Sequence, residues 1–465
     1  MHKKIPLWTK IIYGSGDFGY SMTNSIIAAY FLLFLTDVVG LSPAVAGIAI
    51  LVGRTWDYIN DPLIGNISDR THTKWGRRRP FILFGAIPFA VTFAMLWYKP
   101  AFSDPTMLAV YFSVAYIFYD AAQTFVFMPF FALTPDLTDD YDERTSLTSY
   151  RMVFNIIGGL VAFTLPLMVI GNFSPDNISS VQRMGIIFGI LSAIPLFFIF
   201  LKTRESHSQS EYKKPNIFNS VKLALKNRPF VLGAVVYLAT WTSMNVVQTV
   251  LLYYVKYILR REAMSDILMG SIFITAIIAL PLWNWISKKL DKRKAYALGI
   301  SFWALAQLLL ITLSAASSTT FVLVLCVVAG VGVSAAHVLP WAMIPDAIEY
   351  GELDSGERHE GVFYSLVTLM AKVASSIAIP LTAFVLEFTG YIPNSLSQPE
   401  SAMLGIRFLM GPIPALFLII GIMFALRYPL ERKEFNAIVD KLELQRAAKK
   451  QGSISKDCSK VPIEK

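Results

Sequence analysis

Apolar runs of membrane-spanning length recur along this chain, and they leave few folds open to it. A helix needs about 20 predominantly apolar residues to cross the hydrocarbon of a bilayer. Runs of that kind, bounded by charged residues or by Pro and Gly, fall at 11–37, 43–68, 80–98, 107–134, 151–171, 183–201, 230–256, 265–287, 295–315, 319–345, 362–388 and 404–427. The composition agrees: 55% of the residues are hydrophobic and 16% charged, whereas a soluble domain carries about a quarter charged residues. The surplus apolar surface is expected to face lipid. The pattern predicts an all-α membrane protein: an N-terminal six-helix bundle over 1–201, a polar and basic connector over 202–229, a C-terminal six-helix bundle over 230–430 and a tail over 431–465.

The net charge of +9 does not point to nucleic acid, because its residues sit in short runs between apolar stretches, as topology signals do. One side collects Lys3, Lys4 and Lys10, then Arg70, Lys74, Arg77, Arg78 and Arg79, the connector, and Lys288 to Lys294. The side richer in Lys and Arg is cytoplasmic. Both termini are therefore expected in the cytoplasm, with the chain multi-pass in the cell (inner) membrane; Arg260 and Arg261 run against this trend without reversing it. The two cysteines, Cys326 and Cys458, make no disulfide framework. The chain carries no H-E-x-x-H, G-x-S-x-G or G-x-x-x-x-G-K-[ST] motif, so nothing speaks for an enzyme or for a phosphate-binding loop. Two sets of six helices around a basic central loop is the layout of the major facilitator fold, in which substrate binds near the midplane between halves that rock around it.

The stretch Arg54-Thr55-Trp56-Asp57-Tyr58-Ile59-Asn60-Asp61 lies inside the second apolar run. Each ionisable residue at bilayer depth costs about 2.5–3.5 kcal/mol on insertion scales, so three in eight positions need a reason. Asp57 and Asp61 are four apart and share a helix face, with Arg54 on the same stripe and the Asn60 carbonyl beside them. Two buried carboxylates at that spacing repel and need a cation or a shared proton. The expectation is a coupling-ion site, with Asp57 and Asp61 as metal ligands if the ion is Na⁺. The plainer alternative is a salt bridge in which Arg54 neutralises one of the two.

After this run come Gly65 through Asp69-Arg70 and then Gly76-Arg77-Arg78-Arg79, a loop of the G-x-x-x-D-R…G-R-R kind. Its charges are expected to bond neighbouring helix ends. The acidic loops 136–143 and 346–360 should answer them, giving a latch from Asp69, Arg70, Arg77, Arg78, Arg144, Asp346, Glu349 and Arg358. Lys372 stands alone in YSLVTLMAKVASS. It reads either as a partner of the acidic pair or as a lysine snorkelling at a helix end. His337, with Trp341 one turn on, reads equally as a substrate or proton ligand and as a hydrogen-bonded structural residue.

Four stretches together carry a resemblance over roughly residues 13 to 428: Tyr13-Gly14-Ser15-Gly16-Asp17-Phe18-Gly19; Trp56-Asp57 through Asp61-Pro62; Pro129 through Pro135 with Arg144 and Arg151; and Pro345-Asp346-Ala347-Ile348-Glu349-Tyr350-Gly351-Glu352 with Lys372. With them the chain resembles the glycoside–pentoside–hexuronide:cation symporters of the melibiose permease type, within the major facilitator superfamily. The resemblance implies symport of a sugar or glycoside with Na⁺ or H⁺, no bound cofactor, and a cation site at Asp57, Asn60, Asp61 and Thr124. It also implies roles for Arg151 and Lys372. The aspartates that hold a galactoside in this type fall at Ser21 and Phe127, and its tryptophans at Phe131 and His337, so that clamp is absent as such. Asp17 and Asp120, one turn before Ser21 and Thr124, are substitute substrate ligands or ordinary polar residues. The loss of the clamp also keeps a lysolipid or other amphipathic solute open as cargo.

Overall fold

The computed structural model describes residues 5–138, 140–205, 217–355, 360–395, 397–432, 434–438 and 440–442. Arg358 and the side chain of Asp69 lie outside the described part, so their expected place in a latch is not addressed.

Each predicted apolar run is helical. The first span is built from Leu7–Gly14 and Gly16–Ile26 and continues through two wider, π-helical stretches, Ile27–Phe31 and Phe34–Val39. The second is split into Pro43–Thr55 and Asp57–Arg70 by a turn at Trp56. The third to sixth are Arg79–Leu96, Pro105–Ala132, Tyr141–Ile170 and Ile178–Lys202. Within the connector, Ile217–Lys226 is helical. The seventh is Arg228–Tyr253 extended by the π-helical Tyr254–Leu259, and the eighth to eleventh are Ser265–Leu290, Lys292–Leu310, Thr319–Ser355 and Glu360–Phe388. The twelfth is Glu400–Met410 with Pro412–Leu426.

Local chemistry starts several of these helices. Asp104, Asp140 and Asn227 each accept a backbone N–H of the first turn, from Thr106, Glu143 and Phe230, and Pro105 and Pro229 sit where a missing N–H costs nothing. Among the described residues, nine helices are long and apolar enough to cross a membrane. The first, second and ninth spans fall short, for visible reasons: the first is cut into segments, the second is broken at Trp56 and carries Arg54, Asp57 and Asp61, and the ninth opens on Lys292-Arg293-Lys294.

The packing repeats with a shift of six. In the first half, the first span packs on the fifth and sixth, the second on the fourth, and the third on the fourth and sixth. In the second half, the seventh packs on the eleventh and twelfth, the eighth on the tenth, and the ninth on the tenth and twelfth. The halves meet where the second span lies on the eleventh, the fifth on the eighth and the first on the seventh. Exchanging the halves maps each of these contacts onto another or onto itself, which is a pseudo-twofold arrangement. Exposed apolar residues at helical spacing, such as Phe84, Ile87 and Val91 on the third span and Ile186, Ile190 and Ile194 on the sixth, make the outward face. Apolar surface of that extent belongs in lipid.

Candidate functional site

The second span places its two carboxylates toward the other half. Lys372 of the eleventh span reaches across and donates to Asp57 Oδ1 at 2.6 Å and to Asp61 Oδ2 at 2.5 Å. On the opposite side Thr124 Oγ1 of the fourth span donates to Asp61 Oδ1 at 3.2 Å. The side chains of Asp57, Asp61 and Lys372 keep 19%, 29% and 23% of their surface exposed, so the cluster borders an accessible space without being open to bulk water. Asp57, Asp61, Thr124 and Lys372 thus come together as the sequence suggests. Asn60 lies beside them, buried, with its amide directed at the Asp120 carbonyl at a long 3.5 Å. Among the described residues no group of three or more His, Cys, Asp or Glu is placed to hold a metal ion. A cation here would draw on two carboxylates plus neutral oxygens such as Thr124 Oγ1.

Arg54 departs from the sequence reading. It is not ion-paired with Asp57; its Nε donates to Tyr116 Oη at 2.9 Å and its Nη1 bonds Ser375 Oγ of the eleventh span. The backbone at Trp56, between Arg54 and Asp57, stays right-handed helical, so it is the hydroxyls of Tyr116 and Ser375 that hold the guanidinium away from the acidic pair. Gly53 allows the arrangement, since a Cβ there would lie 2.5 Å from that of Tyr116. The simple Arg54–Asp bridge is therefore not the one that forms; the lysine of the other half takes that place.

The candidate substrate residues separate into groups. Asp17 and Arg151 pair with each other across the first and fifth spans, and the guanidinium lies over the rings of Phe130 and Phe131 at 5.2 and 4.8 Å. Close approach of backbones buries this pair: a Cβ on Gly19 would stand 2.5 Å from the Ser192 carbonyl of the sixth span. Phe127 and Phe131 both pack on Tyr20, each at 5.0 Å, and Ser21 faces Gly159 of the fifth span. From the second half, His337 Nδ1 meets the Val333 carbonyl at 3.1 Å, a bond within its own helix, and its ring stands 5.6 Å from Trp241. Trp341 meets Tyr237 edge-on at 5.3 Å. Tyr237 and Trp241 were not anticipated; their four-residue spacing on the seventh span is the signal that points to them. Asp120 is buried on the fourth span.

Several of the expected latch residues bond within their own halves. Asp136 holds Arg77 at 3.1 Å and Arg78 at 2.9 Å, Arg144 Nε donates to the Thr138 carbonyl, and Lys292 holds Asp346 at 2.6 Å. Arg70 is exposed and Glu349 half-buried. Glu205, at the end of the sixth span, accepts the backbone N–H groups of Arg77, Arg78 and Arg79 at 2.6, 2.8 and 3.0 Å. No sequence signal marks it, because a lone Glu in a basic loop has no pattern.

Among the described residues, several bonds that tie the two halves together lie at the face opposite the termini. Asp37, its side chain fully buried, accepts from Lys256 Nζ at 2.6 Å, Tyr257 Oη at 2.5 Å and Tyr391 Oη at 2.5 Å. Thr36 Oγ1 bonds Tyr253 Oη at 2.8 Å, Lys256 also donates to the Phe173 carbonyl at 2.8 Å, and Glu387 accepts the Ala44 N–H at 3.0 Å. The π-helical ends of the first and seventh spans aim Asp37 and Lys256 at one another. The latch residues expected from the sequence all lie at the terminal face, and no pattern marks this closure, since a single Asp at the end of a span reads like any boundary charge.

Residues 12–432 match the family described as MFS/sugar transport protein. The sodium-dependent lysophosphatidylcholine symporter 1-A of Danio rerio is 27% identical, over 93% of this chain and 88% of that one. The isoprimeverose transporter of Lactiplantibacillus pentosus is 28% identical, over 86% and 84%. Among solved structures, a bacterial homolog of the human lysosomal transporter Spinster, in an inward-facing and unoccupied conformation, aligns with a TM-score of 0.68 at 12% identity, over 93% of this chain and 97% of that chain. That likeness shows a shared fold.

Proposed function

The chain belongs to the MFS/sugar transport protein family, and on that premise we propose that it is a secondary active transporter, not an enzyme, which couples entry of Na⁺ or H⁺ to symport of a sugar or glycoside. The observation that carries this reading is the ammonium of Lys372 seated between Asp57 and Asp61. A positive group from one half occupies the place where two carboxylates of the other half need a cation. When the coupling ion arrives, it displaces the lysine and neutralises the pair itself. The contact between the second and eleventh spans then loosens, and the halves can rock. Thr124 and Asn60 supply neutral oxygens to the ion.

The same reading makes this conformation inward-facing, with both termini cytoplasmic and the Asp37 network as the outer closure. Solute would meet Tyr20, Phe127 and Phe131 from one half and Tyr237, Trp241 and Trp341 from the other, with the Asp17–Arg151 pair and His337 as polar groups nearby. Substrate and cation should each tighten the other's binding by the same factor. A second cargo class, lysolipid, is favoured by the apolar Phe127 and Phe131 in place of sugar-holding residues and by the likeness to a sodium-dependent lysophosphatidylcholine symporter. Uptake by vesicles under an imposed Na⁺ or H⁺ gradient, with a panel of labelled glycosides and lysolipids, separates the two. Concentrative uptake should be lost in Asp57→Asn and Asp61→Asn, and uptake that persists unchanged in both removes the coupling assignment.

A further inference from the structure

A cavity of about 40 Å³ lies inside the second half, at the end opposite the termini, among the seventh, eighth, ninth, tenth and twelfth spans. Of the described residues that line it, none belongs to the first half, so it stands off the path between the halves. Its walls are aliphatic and aromatic except for Cys326 and Gln307. Gln307, on the ninth span, is 1% exposed, and among the described residues neither its Nε2 nor its Oε1 has a hydrogen-bond partner. A buried amide left unbonded at both ends is costly. Tyr254, Val255 and Leu259, from the π-helical end of the seventh span, form one wall. The neighbouring Lys256 and Tyr257 turn the other way and donate to Asp37. The cavity therefore lies directly behind the outer closure.

We propose that this cavity binds a short-chain alcohol through the Gln307 amide, and that a bound alcohol holds the outer closure shut. Size sets the ligand: about 10–15 Å³ holds one water-sized group, so roughly three such groups fit, as in ethanol. A hydroxyl both donates and accepts, and the amide offers it an acceptor and a donor. The carbon end then meets apolar walls, where a cluster of waters would find too few polar partners. The effect on the closure rests on the outer-closure reading above. For the closure to open, Lys256 and Tyr257 must leave Asp37, which carries the π-helical segment away from the first span and into the space behind it. Packed interiors yield little, so a ligand filling that space keeps the segment in place.

The test uses the full chain in detergent, with ethanol as the probe. A ligand of this size binds no tighter than about millimolar. In Cys458→Ser, Cys326 is the remaining cysteine and reports from the cavity wall. Ethanol at twice its dissociation constant should slow the reaction of Cys326 with the small neutral reagent methyl methanethiosulfonate roughly threefold, by mass action. Gln307→Leu should lose this protection while Cys326 still reacts; exchanging an unbonded amide for an apolar group of similar size is nearly neutral for folding. Ala329→Val, which fills the cavity from the tenth span, should lose it too. The closure is read from Thr36→Cys in the same Cys458→Ser chain, labelled by a bulky charged maleimide. Ethanol should slow that labelling over the same concentrations, and Gln307→Leu should remove the effect. Ethanol that gives Cys326 no saturable protection, or protection that survives both substitutions, would overturn the binding site. A protected Cys326 with unchanged labelling at position 36 would overturn the hold on the closure. Should Asp37→Asn fail to speed labelling at position 36, the outer-closure reading itself fails, and protection of Cys326 still decides the site.

Discussion

Replacing Lys372 by methionine keeps the length of the side chain and removes the ammonium that Na⁺ would have to displace. In the wild type that ammonium makes two charge-assisted bonds, 2.6 and 2.5 Å long, to Asp57 and Asp61. Hydrogen bonds to charged groups contribute about 1.5–3 kcal/mol each, and in this partly exposed cluster the lower end applies, giving roughly 3 kcal/mol for the pair of bonds. About half of that is recovered when the displaced ammonium meets water in this partly exposed cluster, which leaves roughly 1.5 kcal/mol of competition. That converts to about a tenfold gain in Na⁺ affinity for Lys372→Met. Without Na⁺ the variant should melt at a lower temperature than the wild type, since two carboxylates then share the cluster with no bridging cation. The assay is the rise in unfolding temperature with Na⁺ concentration, or calorimetric titration. Na⁺ binding that weakens or stays the same in Lys372→Met means that the lysine is an aid to the cation and not its stand-in.

Asp37→Asn should weaken the outer closure, because three donors lose their charged acceptor at about 1.5 kcal/mol or more apiece; a thiol placed by Thr36→Cys should then be alkylated at least tenfold faster by an impermeant reagent, and unchanged labelling counts against the closure. Gly53→Val should drive into the Tyr116 ring, cost about 1–3 kcal/mol of packing and displace Arg54, so uptake should fall in membranes where expression is kept. The Lys10 hydrogen bond holds the Glu143 carboxyl below the usual carboxylate range, helped by the Ile5 N–H. A lowered folded value gives stability that is present above the unfolded value and lost as pH falls through the lowered one, so Lys10→Met should flatten the acid limb of stability against pH in thermal melts, and an unaltered limb would show the contact to be inert.

The sequence alone determines where the long apolar helices fall, because hydrocarbon thickness fixes how long an apolar run must be and charges cannot be left inside it without cause. It also determines the paired carboxylates, since helix periodicity puts Asp57 and Asp61 on one face whatever surrounds them, and it marks Lys372 as a charge in want of a partner. Which cation meets which anion is decided only by the fold. The hydroxyls of Tyr116 and Ser375 take the Arg54 guanidinium from the acidic pair, and packing of the second span on the eleventh delivers a lysine more than three hundred positions away. The Asp37 closure arises in the same way: it depends on what separate helices bring to one point, and local sequence holds no record of that distance.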